Sequence, residues 1–131
     1  MTITKGSCNC GRVTWEATGV MRPIVACHCS QCRKQTGLYY AATAADDDVL
    51  TITGTTLKWY QASPENMPEA KRGFCTECGS ALFWKNEKED CTSILAGSID
   101  GPTGLEITEH IFTDNMPDWY EITDGKPVRE Q

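Results

Sequence analysis

Hydrophobic residues in this chain alternate with polar ones over short stretches, and few windows show the 3.6-residue apolar period of a long amphipathic helix. Arg12–Thr18 is the cleanest run. Extended, it puts Val13, Trp15 and Ala17 on one face and Thr14, Glu16 and Thr18 on the other. Leu38–Ala44 predicts a second strand, stopped by the acidic brake Asp46, Asp47 and Asp48. Val49–Ile52 and Leu57–Tyr60 predict two more, separated by a turn at Thr53, Gly54 and Thr55. Ala81–Trp84, Thr92–Ala96 and Ile107–Phe112 complete a set of about seven short strands. A helical turn is expected only between Ser30 and Gln35. Ser63–Glu69, with Pro64 and Pro68, reads as the most loop-like interior stretch. Asp100-Gly101-Pro102 and Asp124–Pro127 read as turns, because Gly supplies positive φ and Pro fixes its own φ. The fold class predicted is mainly β with little helix, as a single domain over residues 1–131.

Seven of the eight cysteines interrupt this pattern in three tight groups: Cys8-x-Cys10, Cys27-His28-Cys29-x-x-Cys32 and Cys75-x-x-Cys78-Gly79. Only Cys91 stands alone. The meaning of such clusters depends on the redox compartment. No apolar run approaches the roughly 20 residues of a membrane span, and Met1–Gly6 has no apolar core of a signal peptide. A cytoplasmic location is therefore expected, where clustered thiols serve as metal ligands more readily than as disulfides.

Cys75-Thr-Glu-Cys78-Gly79 has the form of a zinc knuckle, with two sulfurs on one side of a tight turn and a glycine to accommodate the reversal. A knuckle supplies two ligands and needs a second pair. Cys8 and Cys10 are the natural partners, since an extended Cys-x-Cys puts both side chains on one face. Such a site would be structural, tying the start of the chain to its second half and turning metal-binding free energy into folding free energy. A redox-active pair at Cys75 and Cys78 is the competing reading, and it leaves Cys8 and Cys10 unexplained.

Cys27, Cys29 and Cys32 differ in kind. Three thiolates from one strand end and one turn leave the fourth tetrahedral position of a zinc ion for water or substrate, the usual arrangement of catalytic zinc. The alternative is a fourth protein ligand, for which Cys91, His28 and His110 are the remaining Cys and His residues. His28 points away from its Cys neighbours if that stretch is extended. Cys91 reads more readily as a buried small hydrophobe, and His110 as a hydrogen-bonded structural histidine.

Composition and charge narrow the partners. Hydrophobic residues make up 40% and charged residues 23%, which places the chain among folded globular proteins and excludes a disordered one. The formal charge is −6 with cysteines neutral, and zinc-bound thiolates would take it to about −9. That field repels phosphate backbones, and the basic pairs Arg33-Lys34 and Lys71-Arg72 are thin support for nucleic-acid binding. No nucleic acid and no membrane are expected as partners.

Three strings carry a family resemblance: Lys5-Gly-Ser-Cys8-Asn-Cys10-Gly11-Arg-Val13, Ala26–Gly37 around the three-cysteine motif, and Arg72–Ser80 around the knuckle. Together with Ala96–Asp100, His110-Ile111 and Trp119, they resemble the glutathione-dependent formaldehyde-activating enzyme family, which includes centromere protein V. The likeness runs from about Lys5 to Pro127. It implies a β-tent fold of packed antiparallel sheets stapled by zinc. It also implies a structural zinc on Cys8, Cys10, Cys75 and Cys78 and a second, catalytic zinc on Cys27, Cys29 and Cys32. The implied reaction condenses formaldehyde with glutathione to S-hydroxymethylglutathione, a carbon–sulfur lyase reaction with a small thiol as partner.

On this reading a thiol exchanges onto the second zinc, loses its proton and meets an aldehyde carbonyl. Arg33, Lys34 and Arg72 are candidates to pair a substrate carboxylate, with a surface salt bridge as the commoner fate of any one of them. Trp15, Trp59, Trp84 and Trp119 are expected to be core or rim aromatics. The alternative function is a non-catalytic, zinc-stabilised binding module. A chromatin role by analogy to centromere protein V is disfavoured by the acidic balance.

Overall fold

The computed structural model describes residues 2–63 and 67–131, and the chain divides into two compact units. The first comprises residues 1–22 and 43–103, the second residues 23–42 and 104–131. In chain order the strands are β1 (Ile3–Ser7), β2 (Thr14–Thr18), β3 (Ile24–Cys27), β4 (Tyr40–Asp46), β5 (Leu50–Thr53), β6 (Leu57–Ser63), β7 (Met67–Cys75), β8 (Ala81–Asn86), β9 (Cys91–Leu95) and β10 (Ile107–Ile111). A single helix, α1 (Ser30–Thr36), and three short 3-10 turns complete the described elements. The protein is mainly β, as its alternating pattern predicts, and no helix is long and apolar enough to cross a membrane.

In the first unit β2 lies between β1 and β5, antiparallel to both, with Trp15 opposite Gly6 on one side and Ile52 on the other. The alternation reads directly into burial. Val13, Trp15 and Ala17 are inside, while Thr14 and Glu16 face water. Gly6 is required there, because a Cβ would stand 2.3 Å from the Trp15 indole. The indole N–H of Trp15 donates to the Ser98 hydroxyl at 3.0 Å. A second sheet of this unit runs β9-β8-β7-β6, with the end of β4 beside β9, and buries Leu82, Phe83 and Ile94.

The second unit is built on β10, β3 and the start of β4, in that order, with β10 and β3 parallel and β3 and β4 antiparallel. Ile111 stands opposite Cys27, and Cys27 opposite Tyr40. Helix α1 follows β3 directly. Cys29 is its N-cap, with its sulfur accepting from the Cys32 N–H at 3.3 Å, and Gly37 closes it at φ 93° with its N–H on the Arg33 carbonyl.

Three strands depart from expectation. β1, β3 and β7 are absent from the alternating pattern, and the segment read as a loop contributes strand on both sides. Ser63 ends β6 opposite Met67, and Met67, Pro68 and Glu69 begin β7; Pro64, Glu65 and Asn66 lie outside the described residues. Pro68 is tolerated because the ladder to β8 begins only at Ala70. The other limits move by one to three residues; β4 starts at Tyr40 rather than Leu38, and β6 runs on from Tyr60 to Ser63.

Candidate metal centres

In the first unit, the turn after β1 and the knuckle between β7 and β8 bring Cys8, Cys10, Cys75 and Cys78 together, with all four sulfurs within 4.8 Å of one another. Each turn is closed by its own backbone. The Gly11 N–H reaches the Cys8 carbonyl at 3.1 Å, and the Gly79 N–H reaches that of Cys75 at 2.8 Å. Gly11 and Gly79 both sit at positive φ, the conformation that lets each loop fold back on its cysteines. The two turns are also tied to each other, since the Asn9 N–H donates to the Ser80 hydroxyl at 3.0 Å.

The spacing suits tetrahedral zinc. A Zn–S bond of about 2.3 Å implies sulfurs about 3.8 Å apart. Cys10 lies 3.6 Å from Cys8 and 3.7 Å from Cys75. Hydroxyls prepare the thiolates: Thr56 Oγ1 stands 3.3 Å from Cys75 Sγ, and Ser80 Oγ 3.2 Å from Cys78 Sγ. Thr56 holds the Cys75 pKa below the usual thiol value, and the Ser80 hydroxyl, helped by its backbone, brings Cys78 down to about 5.

In the second unit the end of β3 and the first turn of α1 bring Cys27, Cys29 and Cys32 within 4.8 Å of one another. Cys29 Sγ donates to Cys32 Sγ at 3.0 Å, inside a tetrahedral edge, so a metal there would spread that pair. Hydrogen bonding with Cys29 and Cys32, then burial, pushes the Cys27 pKa up. A divalent cation among the three would reverse that preference. Among the described residues no fourth Cys, His, Asp or Glu joins the group.

The three candidates for a fourth ligand go elsewhere. Cys91 belongs to neither cluster, and burial raises its pKa. His28 and His110 bond each other, Nε2 to Nδ1, at 2.8 Å, and His110 Nε2 lies 2.8 Å from Asp124 Oδ2. Burial, and after it the neighbouring His110, holds the His28 pKa below its usual value. The His110 hydrogen bond lowers that of Asp124. Tyr39 and Tyr120 pack on the His28 ring at 5.1 and 5.9 Å. The sequence reading anticipated a hydrogen-bonded His110 and an averted His28, but not their pairing, nor the parts of Asp124, Tyr39 and Tyr120. Its one available signal for Asp124 was a turn.

The other site candidates separate. Arg33 and Lys34 lie on α1 in the second unit, Lys34 exposed. Arg72 lies on β7 in the first unit, buried and already engaged. It is therefore not available to a carboxylate from solution, contrary to expectation. Trp15 is core, Trp59 stacks on Phe83 at 5.8 Å with Lys71 over its ring, and Trp119 is exposed.

Comparison with known proteins agrees with the cysteine pattern. No curated protein matches the sequence. A solved structure of a Rhodobacter sphaeroides protein is similar at 26% identity and a TM-score of 0.58, over 76% of this chain and 91% of that one. The family model described as glutathione-dependent formaldehyde-activating enzyme matches residues 3–115, which include all seven clustered cysteines. With that span matched and both thiol groups assembled, the chain belongs to the glutathione-dependent formaldehyde-activating enzyme family.

Proposed function

We propose that this protein is a cytoplasmic zinc enzyme of the carbon–sulfur lyase type that forms and breaks a thiol–aldehyde adduct, with glutathione and formaldehyde as the substrate pair. The observation that carries the reading is the three-thiol group at Cys27, Cys29 and Cys32, which no fourth donor among the described residues completes. Cys8, Cys10, Cys75 and Cys78 would hold a structural zinc, and Cys27, Cys29 and Cys32 the catalytic one. When bound by Cys27, Cys29 and Cys32, zinc would supply Lewis acidity that lowers the pKa of a thiol substrate.

The chain's own residues do the rest. Three thiolates would leave the loaded site at about −1, which favours exchange of a thiol over strong polarisation of water. Arg33 and Lys34, one and two residues beyond Cys32 on α1, offer charge for a substrate carboxylate. In the forward direction the substrate sulfur attacks the aldehyde carbon and a C–S bond forms. The carbonyl π pair becomes an alkoxide that takes up the proton released by the thiol, giving a hydroxymethyl thioether. The reverse step breaks the C–S bond and restores both reactants.

The test pairs metal analysis with turnover on the purified protein. About two zincs per chain, one of them removed first by a chelator, with adduct formation from glutathione and formaldehyde faster than the spontaneous reaction, is the expected result. Two zincs equally resistant to chelation and no acceleration would replace this reading with a zinc-stabilised binding module.

A further inference from the structure

His28 stands between two of the three clustered thiols, yet its side chain takes no part in the group. It is 1% exposed, and so is His110. Burying two imidazoles is costly unless their polar atoms are satisfied. Asp124, with its side chain 38% exposed, supplies the outer end of the chain that satisfies them. A carboxylate only accepts, so His110 donates from Nε2 to Asp124. The remaining nitrogen, Nδ1, pairs with His28 Nε2, one ring donating and the other accepting.

The backbone follows the same route. The His28 N–H donates to the Ile111 carbonyl at 2.9 Å, the His110 N–H to Pro127 at 2.9 Å, and the Arg129 N–H to His110 at 2.8 Å. Asp124 is itself fixed by the Lys126 N–H on its other oxygen at 3.0 Å. Three segments distant in sequence are therefore linked in series through His110, and the series ends at His28 of the cysteine motif. In extended chain neighbouring side chains point to opposite sides, so holding His28 on one side presents Cys27 and Cys29 together on the other.

We propose that the His28–His110–Asp124 chain positions the three-thiol site, and that the segment from Asp124 to Arg129, beyond the residues matched by the family model, is a working part of that site. These are positioning residues, with no contact to the reacting atoms. The inference rests on reading Cys27, Cys29 and Cys32 as a metal site and is independent of which substrate is turned over.

The experiment uses the full-length zinc-loaded protein with Asp124→Ala and Asp124→Asn. Chelator competition should show zinc at the second group weakened about 10-fold or more in Asp124→Ala, with the first group unchanged. Asp124→Asn keeps an oxygen for His110 and should stay within about 3-fold of wild type. In the wild type, proton NMR should show imidazole N–H signals downfield and protected from exchange, and Asp124→Ala should lose the His110 one. Wild-type zinc affinity at the second group in Asp124→Ala, equal weakening of both groups, or no protected imidazole proton in the wild type would each overturn the proposal. Failure of the wild type to turn over glutathione and formaldehyde, with these metal results intact, would sink the functional reading alone.

Discussion

Cys10 and Cys75 meet across 65 residues of chain, whereas Cys27, Cys29 and Cys32 come from one strand end and the turn of helix that follows. In the long-range group Cys75 and Cys78 have hydroxyl neighbours, Thr56 and Ser80, that favour thiolate. At Cys10 a backbone hydrogen bond with Arg12 lowers the pKa, but burial and the neighbouring thiols together raise it. The local group has its thiols hydrogen-bonded to one another, which favours the protonated form until a cation arrives. Four donors close a tetrahedron and three do not. On the proposed function, one ligand type would serve as a staple in one group and as a reaction centre in the other, according to how many sulfurs converge and what else donates to them.

Breaking the staple should have the largest effect. Structural zinc is worth about 10–16 kcal/mol in zinc-finger peptides, against a total domain stability of about 5–15 kcal/mol. Cys78→Ser is therefore expected to lose its cooperative melting transition by circular dichroism. Cys29→Ser should keep the native fold and release one zinc per chain by metal analysis. Serine still offers an N-cap oxygen to α1, so Cys29→Ala should be less stable than Cys29→Ser by about 1 kcal/mol in denaturant titration. If the Cys78 and Cys29 variants unfold alike, the two groups are not different in kind.

Acid should separate the groups next. Cys78 falls from 9.0 to about 5, so its thiolate contribution is complete above about pH 9 and lost as pH falls toward 5. Cys27 is shifted upward, so its proton competes with metal throughout that range. Zinc should leave the three-thiol group at a higher pH than the four-thiol group, read by a zinc-sensitive dye during acidification. A single release step would count against the division. The smallest effect belongs to Thr56→Val, which removes one hydrogen bond to the Cys75 sulfur. Zinc at the first group should weaken about 5-fold, the equivalent of about 1 kcal/mol, with the second group unmoved.

How far the chain could be read in advance depended on whether a feature is local. β2 was legible because Val13, Trp15 and Ala17 carry a strict two-residue period, and each is buried. β1 was not, because Ile3-Thr-Lys-Gly-Ser7 has almost no apolar residue to alternate; it is a strand because β2 offers a partner for every one of its residues. β7 begins with Met67-Pro68-Glu69, which reads as loop, and is held extended by β6 and then by β8. In the sites, the ligand groupings followed from spacing. The His28–His110–Asp124 chain did not, since nothing in a sequence pairs one buried histidine with another 82 residues away.

The sequence by itself determined the fold class and the grouping of the candidate ligands. Alternating runs demand strands, and soft ligands two or three positions apart demand a common point in space, so both are consequences of short-range geometry. Only the tertiary structure decided which strands pair, that Arg72 is buried, that Cys91 joins neither group, and that the Asp124 carboxylate reaches His110, which bonds the histidine of the cysteine motif. Those outcomes depend on contacts between residues far apart in the chain, where many pairings have similar local cost and only the assembled packing selects one.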